Sequence, residues 1–220
     1  MRTWGSDHPK AALMTRKRDA IVSAALRAFL AEGYEGSSVN RIAEDAGVSI
    51  KTLYRHFTDK DDLFGAAIIA ACTPVGGPDG EQAPWLPLPP DEALPMMGEA
   101  YLRDILEDDQ IRLYRVVVHD SGRVPVMGRL YQTHMIASRR QHFIRYAKRW
   151  AARAGWPDSD WRWAAEVFGG LLDAETLSAA LVLNERPDDD TLVARARRAA
   201  SDMLFLITSG RFVREQGAAV

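Results

Sequence analysis

The stretch Gly47-Val48-Ser49-Ile50-Lys51-Thr52-Leu53-Tyr54-Arg55-His56-Phe57-Thr58-Asp59-Lys60 constrains the fold more than any other part of this chain. Gly47 marks a tight turn after a short helical pattern, and Ser49 is placed to cap a second short helix. That helix has two large apolar residues on one side, Leu53 and Phe57, at i,i+4 spacing. At about 100° per residue, Lys51 and Arg55 then point away from the core, flanked by Thr52 and Tyr54. A solvated surface helix can carry such a face, and so can a helix that enters a major groove. Cations suit phosphates and guanine edges, a threonine suits a hydroxyl or methyl contact, and a phenol suits a phosphate oxygen.

The neighbouring residues favour the groove. Thr15 to Leu30 reads as an amphipathic helix with the stripe Ile21, Ala25, Ala28 and Phe29, and Gly33 follows as a left-handed stop. Ser37 or Ser38 then caps a helix whose inner face is Ile42, Ala43 and Ala46. Two short helices joined by a Gly-containing turn, the second polar on its outer face, describe a helix-turn-helix. Thr58 and Asp61 have the spacing of a capping box for a further helix running from Asp59 to about Cys72.

Composition limits the alternatives. The chain has 220 residues, 47% of them apolar, enough for a real core in one modest domain and a small one. It has no apolar run long enough to span a membrane, and Met1-Arg2-Thr3-Trp4-Gly5-Ser6 does not resemble a signal peptide. The single cysteine, Cys72, excludes an intramolecular disulfide and fits a reducing cytoplasm, where a buried small hydrophobe is expected. The net charge of −2 means that any attraction to DNA is local, from Arg16, Lys17, Arg18, Arg41, Lys51, Arg55 and Lys60. Five histidines, one cysteine and no phosphate loop, paired-histidine motif or nucleophile elbow offer nothing to build a catalytic site, so no enzyme, metal or cofactor is expected.

The organisation expected is all-α. Residues 1–14 form a disordered extension, 15–65 a helix-turn-helix domain, and 66–220 a second helical domain. Within the last, residues 74–90 are too rich in Pro and Gly to be helical and form an irregular connection, which Trp85 and Leu86 can pin to the core. The sequence then predicts helices over 91–108, 110–120, 124–154, 158–183 and 188–208. The last two carry an apolar load unusual for surface elements. Trp161, Ala165, Phe168, Leu172, Glu175, Thr176, Ala179 and Leu183 follow one side of the first, and Leu192, Ala196, Ala199, Met203 and Leu206 one side of the second. Such a pair can bury one face on its own domain and another on a copy of itself. Gly169-Gly170 in mid-helix suggests a close helix approach.

The run from Ser37-Ser38-Val39-Asn40-Arg41-Ile42-Ala43-Glu44-Asp45-Ala46-Gly47 through Thr52-Leu53-Tyr54-Arg55-His56-Phe57, then Lys60 and Leu63-Phe64, resembles the DNA-binding domain of the TetR family of transcriptional regulators. Leu113-Tyr114-Arg115-Val116-Val117-Val118 and Phe168-Gly169-Gly170-Leu171-Leu172 are similar to its AefR-like branch. Geometry and resemblance together make Lys51 and Thr52 the base readers, with Ile50 available for a thymine methyl. The resemblance implies phosphate contacts from Tyr54, His56 and Lys60, although His56 is equally readable as a packing residue. Ser38 and Asn40 open the preceding helix and reach toward phosphate or base, with Arg41 and Arg55 adding charge and Ser49 at the cap. Met14-Thr15-Arg16-Lys17-Arg18 reads either as a basic minor-groove arm or as an unstructured tail, with Met14 as a second candidate start.

The resemblance further implies a homodimer, assembled through the last two long helices, that releases a palindromic DNA operator when a small-molecule effector binds. For the dimer, Trp161, Phe168, Leu172, Thr176, Ala179, Leu183, Leu192, Ala196, Ala199 and Met203 are the candidates. For the effector, the candidates are Met97, Tyr101, Tyr114, His119, Met127, Tyr131 and His134, each also readable as core. Arg139, His142, Arg149 and Arg153 form a basic stripe, either solvated or facing an anion. A helical protein-interaction module and an activator remain the alternative functions.

Overall fold

The computed structural model describes residues 9–71 and 83–214, with side chains from residue 12 onward. Residues 1–8, Cys72 and most of the expected Pro/Gly connection (74–82) lie outside the described residues. The chain divides into two compact units, Met1–Thr73 with Arg112–Met135, and Pro74–Ile111 with Ile136–Val220. By packing, residues 66–73 and 112–135 go with the first unit. Among the described residues the secondary structure is helical apart from one isolated bridge between Ser159 and Val213.

In the first unit, α1 (Pro9–Gly36) begins upstream of where disorder was expected to end, so residues 9–14 are helical. Pro9 suits a first helical position, and Lys10-Ala11-Ala12-Leu13-Met14 are good helix formers. Gly33, with φ 72 and ψ 177, kinks α1, and the chain continues to Gly36 instead of stopping. Next come α2 (Val39–Asp45), α3 (Ile50–His56) and α4 (Lys60–Ala71). Helix α1 packs on all three. Ile21, Ala25, Phe29, Ile42, Ala43, Leu53 and Phe57 are buried here, as the stripes predicted, while Ala28 and Ala46 are half-buried; Val22, Ala24, Leu63, Phe64 and Ile68 join the core. Phe29, Tyr34 and Phe64 pack as an aromatic trio, Phe29 and Phe64 meeting edge-on at 4.9 Å between centroids. Helix α4 also packs on α7 (Pro125–Tyr131), where a Cβ on Gly65 would stand 3.2 Å from Leu130.

The second unit is built on α5 (Pro90–Ile105), α8 (Ala137–Ala154), α9 (Trp161–Asp173), α10 (Thr176–Val182) and α11 (Asp189–Thr208). Between the units' sequences runs α6 (Asp108–Asp120). Helices α5, α9 and α11 pack on one another around Leu94, Met97, Leu102, Phe168, Leu172, Ala196 and Met203. Trp85, just ahead of α5, is buried in the same core.

Two of the long helices expected here are interrupted. A π-helical turn (Gln132–Ile136) separates α7 from α8. Helix α9 ends where the Leu172 carbonyl accepts from Arg195 Nε at 2.5 Å and the Asp173 carboxylate accepts from the Tyr101 hydroxyl at 2.8 Å. The close helix approach is not at Gly169-Gly170: a Cβ on Gly170 would meet nothing within 4 Å, and one on Gly169 only the Tyr101 hydroxyl at 3.8 Å. It is at Gly98, where a Cβ would lie 3.0 Å from Leu172 and 3.3 Å from the Cβ of Ala196.

The apolar residues assigned to a partner turn out to serve the chain itself. Trp161, Phe168, Leu172, Thr176, Leu192, Ala196, Ala199 and Met203 are all buried within this single chain, where α9 packs on α8 and α11, and α11 packs on α5. Ala179 is half-buried, and only Leu183 of that set stands exposed.

Candidate nucleic-acid interface

The α2–α3 pair is held by backbone geometry. Val48 N donates to Ala43 O at 3.0 Å and Gly47 N to Glu44 O at 2.9 Å, closing the turn. Gly47 takes φ 65, a left-handed value that glycine adopts without strain. Ser49 caps α3, its hydroxyl accepting from Thr52 N at 3.1 Å and pairing with the Thr52 hydroxyl at 2.9 Å. Leu53 and Phe57 are buried, which fixes the rotation of α3 and turns Ile50, Lys51, Tyr54 and Arg55 outward. All four are exposed, Tyr54 at 52%. Thr52 is half-buried, with its hydroxyl engaged in the cap.

The flanking candidates fall into two groups. Ser38, Asn40, Arg41 and Ser49 are exposed, Arg41 pairing with Glu32 at 2.9 Å. Lys17 and Arg18 of α1 come close to the end of α3, the Arg18 guanidinium lying 5.3 Å from the centre of the Phe57 ring. Their effect shows at His56, which is half-buried with Nε2 lacking a hydrogen-bond partner among the described residues. Burial first, then Arg55, Arg18 and Lys17, hold its pKa below the ordinary histidine value. His56 is thus a partly packed ring inside a cationic cluster.

Lys60 is placed differently from its expected role at phosphate. Its ammonium donates to the Ser37 carbonyl at 2.7 Å and lies 4.7 Å from the centre of the Tyr34 ring. Desolvation lowers its pKa, against the opposing pull of Asp120, Glu35 and Asp61. The side chain ties the start of α4 to the start of α2. The capping box sits one residue later than predicted: Asp59 accepts from Asp62 N at 2.8 Å, and Asp62 accepts from Thr58 N at 2.9 Å. Asp61 instead accepts from the Tyr34 hydroxyl, whose pKa is raised by burial first and by Asp61 second.

The effector candidates are divided between the two units. Met97 is buried in the second unit's core, where Tyr101 binds Asp173. Tyr114 and Tyr131 meet edge-on at 5.7 Å in the first unit, which also holds the buried Met127. His119 is exposed and bonds Asp120 at 2.6 Å, and His134 is half-buried in the π turn. The α8 stripe is not uniformly solvated. Arg139 is only 14% exposed, donating to Asp104 at 2.7 Å and to Gln110 at 3.1 Å, whereas Arg149 and Arg153 are exposed.

Two short helices across a glycine turn, the second with a cationic and aromatic outer face, define a helix-turn-helix protein. Comparison with known proteins agrees. The profile for bacterial regulatory proteins of the tetR family matches residues 21–67. The profile for the C-terminal domain of AefR-like transcriptional repressors matches residues 92–207, more than half of the chain. The chain belongs to the TetR family of transcriptional regulators, in its AefR-like branch.

Among curated relatives, it is 38% identical over 66 residues to the HTH-type transcriptional regulator TcmR of Streptomyces glaucescens, covering 30% of this chain and 26% of that one. The match thus spans about a quarter of the length of that relative. Among solved structures, the fold is similar to that of a TetR-family regulator from Mesorhizobium loti, with TM-score 0.76, 23% identity, and coverage of 88% of this chain and 97% of that one. It is also similar to the flavonoid-responsive regulator FrrA, with TM-score 0.70, 24% identity, and coverage of 87% and 96%. No described helix is long and apolar enough to cross a membrane.

Proposed function

We propose that this chain is a repressor that binds a palindromic operator as a homodimer and releases it when a small-molecule effector binds. The observation that carries the reading is the outer face of α3, where Lys51, Tyr54 and Arg55 stand exposed, with no ion pair to Lys51 or Arg55 among the described residues. Lys51 and Ile50 at the helix start read base edges, while Tyr54, Arg55 and His56, with Lys17 and Arg18, face phosphates. Ser38, Asn40 and Arg41 lie at the start of α2, within the same surface.

A reader of seven residues, Ile50–His56, covers only a few base pairs, which is the physical reason for a dimer. The exposed apolar side chains Val182, Leu183 and Phe205, on and just after α10 and on α11, are the material for its interface. Effector binding would shift the population toward a dimer whose reader helices no longer match the operator spacing. The protein acts by binding and catalyses no reaction.

The test is selection of duplexes from a random DNA pool, followed by titration of Lys51→Ala and Tyr54→Ala against the selected sequence. Each variant should bind at least about tenfold more weakly while keeping the wild-type Tm, since both side chains are exposed. Wild-type affinity in both variants would sink the assignment.

A further inference from the structure

The kink at Gly33 exposes a backbone donor that a distant residue captures. With φ 72 and ψ 177, Gly33 breaks the hydrogen-bond ladder of α1, so the N–H of Tyr34 has to find an acceptor outside it. It donates to Asp120 Oδ2 at 2.9 Å, across 86 residues of sequence. Asp120 is the last residue of α6 and is 3% exposed. Its other carboxylate oxygen meets Nδ1 of His119 at 2.6 Å.

A buried carboxylate is costly unless its oxygens are satisfied, and this one is satisfied by a main-chain donor from another helix. A Cβ at position 33 would lie 3.6 Å from Oδ2, so the carboxylate sits directly over the kink.

The residues that follow the kink form a short link, Tyr34 to Ser37, leading straight into α2. Side chains from two directions fix it. From α4, Lys60 holds the Ser37 carbonyl and Asp61 holds the Tyr34 hydroxyl. Beyond the end of α6, Arg123 pairs with Glu35 at 2.9 Å, alongside the Asp120 bond. Within the link, the Ser37 hydroxyl donates to Tyr34 O at 2.8 Å. Of these contacts, the Asp120 bond is the buried one between the end of α6 and the link, and the Arg123 pair is exposed and therefore weak.

We propose that Asp120 is a positioning residue for operator binding: its carboxylate, by capping the Tyr34 N–H at the Gly33 kink, ties the end of α6 to the link that aims α2 and α3. The proposal rests on the operator-binding reading. It assigns Asp120 no contact with DNA, so its loss should affect the aim of the reader and leave the cationic surface intact.

The experiment compares wild type, Asp120→Asn and Asp120→Ala on two probes: the duplex selected from the random pool and a scrambled duplex of equal length at low salt. Asp120→Asn retains an acceptor oxygen and should bind the selected duplex close to wild type. Asp120→Ala should lose about tenfold on the selected duplex, the scale of one charge-assisted hydrogen bond, with unchanged affinity for the scrambled one. Equal losses on both probes, or none on either, would overturn the proposal. So would a Tyr34 amide in the wild-type protein that exchanges with solvent as fast as its exposed neighbours, which keeps the claim testable if Asp120→Ala does not fold. If no duplex can be selected by the wild-type protein, the operator-binding reading itself fails and takes the proposal with it. If wild type selects one and Asp120→Ala binds it equally well, only the proposal fails.

Discussion

Lys60→Met separates an internal tether from a DNA contact. Methionine keeps the length and most of the apolar stem while removing the ammonium that bonds the Ser37 carbonyl at 2.7 Å and lies 4.7 Å from the Tyr34 ring centre. A hydrogen bond from a charged donor contributes about 1.5–3 kcal/mol, and a half-shielded cation–ring contact about 1 kcal/mol. Part of that is returned because the ammonium no longer has to be desolvated, the same desolvation that lowers its pKa. The net loss is about 2 kcal/mol, a fall in Tm of ~4–8 °C for a chain of 220 residues. Thermal unfolding by circular dichroism measures it. Operator titrations over a range of salt concentrations supply the second half of the test. A lysine on a phosphate lowers the slope of log affinity against log salt by about one when removed, whereas an internal lysine leaves the slope unchanged. An unaltered Tm together with a slope reduced by about one would refute the tether and return Lys60 to the DNA surface.

Three further outcomes are expected. Gly170→Ala adds a methyl group into open space within a helix and should raise stability by about 0.5–1 kcal/mol, read as an increase in Tm; a decrease would mean that another molecule packs there. Ser49→Ala removes the α3 cap and should cost about 1 kcal/mol by urea titration, with an equal denaturant midpoint arguing that the cap is dispensable. His142 is held below its ordinary pKa by burial first and Arg145 second, with Asp104 opposing, so the unfolded chain takes up a proton before the folded chain does. Stability should therefore decline as the pH falls below about 6.5, and His142→Gln should lessen that decline, leaving the share that His56 supplies; identical pH profiles would dismiss the idea.

Local period and turn chemistry made the reader legible. Ile21, Ala25, Phe29, Ile42, Leu53 and Phe57 repeat at helical spacing, Gly47 and Ser49 punctuate them, and all six apolar side chains are buried. Exposure of Lys51 and Arg55 followed from that rotation alone. What the sequence could not show was contact at long range. The Lys60 ammonium turns toward a carbonyl 23 positions away, and nothing in a first-turn lysine announces that choice. Asp120 reads as an ordinary acidic helix end until the kink at Gly33 supplies its partner. The stripes on α9 and α11 were visible, but periodicity reveals that a face is covered and not what covers it. Here α8 and α11 cover α9 and α5 covers α11, the small residue Gly98 letting α5 approach Leu172 and Ala196. The breaks after Tyr131 and Asp173 were likewise hidden, since neither is marked by proline or glycine.

That packing leaves three large apolar side chains of the helical unit outside it. Val182, Leu183 and Phe205 are 78%, 61% and 70% exposed, so exchanging them should disturb folding by no more than about half a kcal/mol. The residues that hold the unit together and those it offers outward are therefore different sets, and a lineage can revise the second without revising the first.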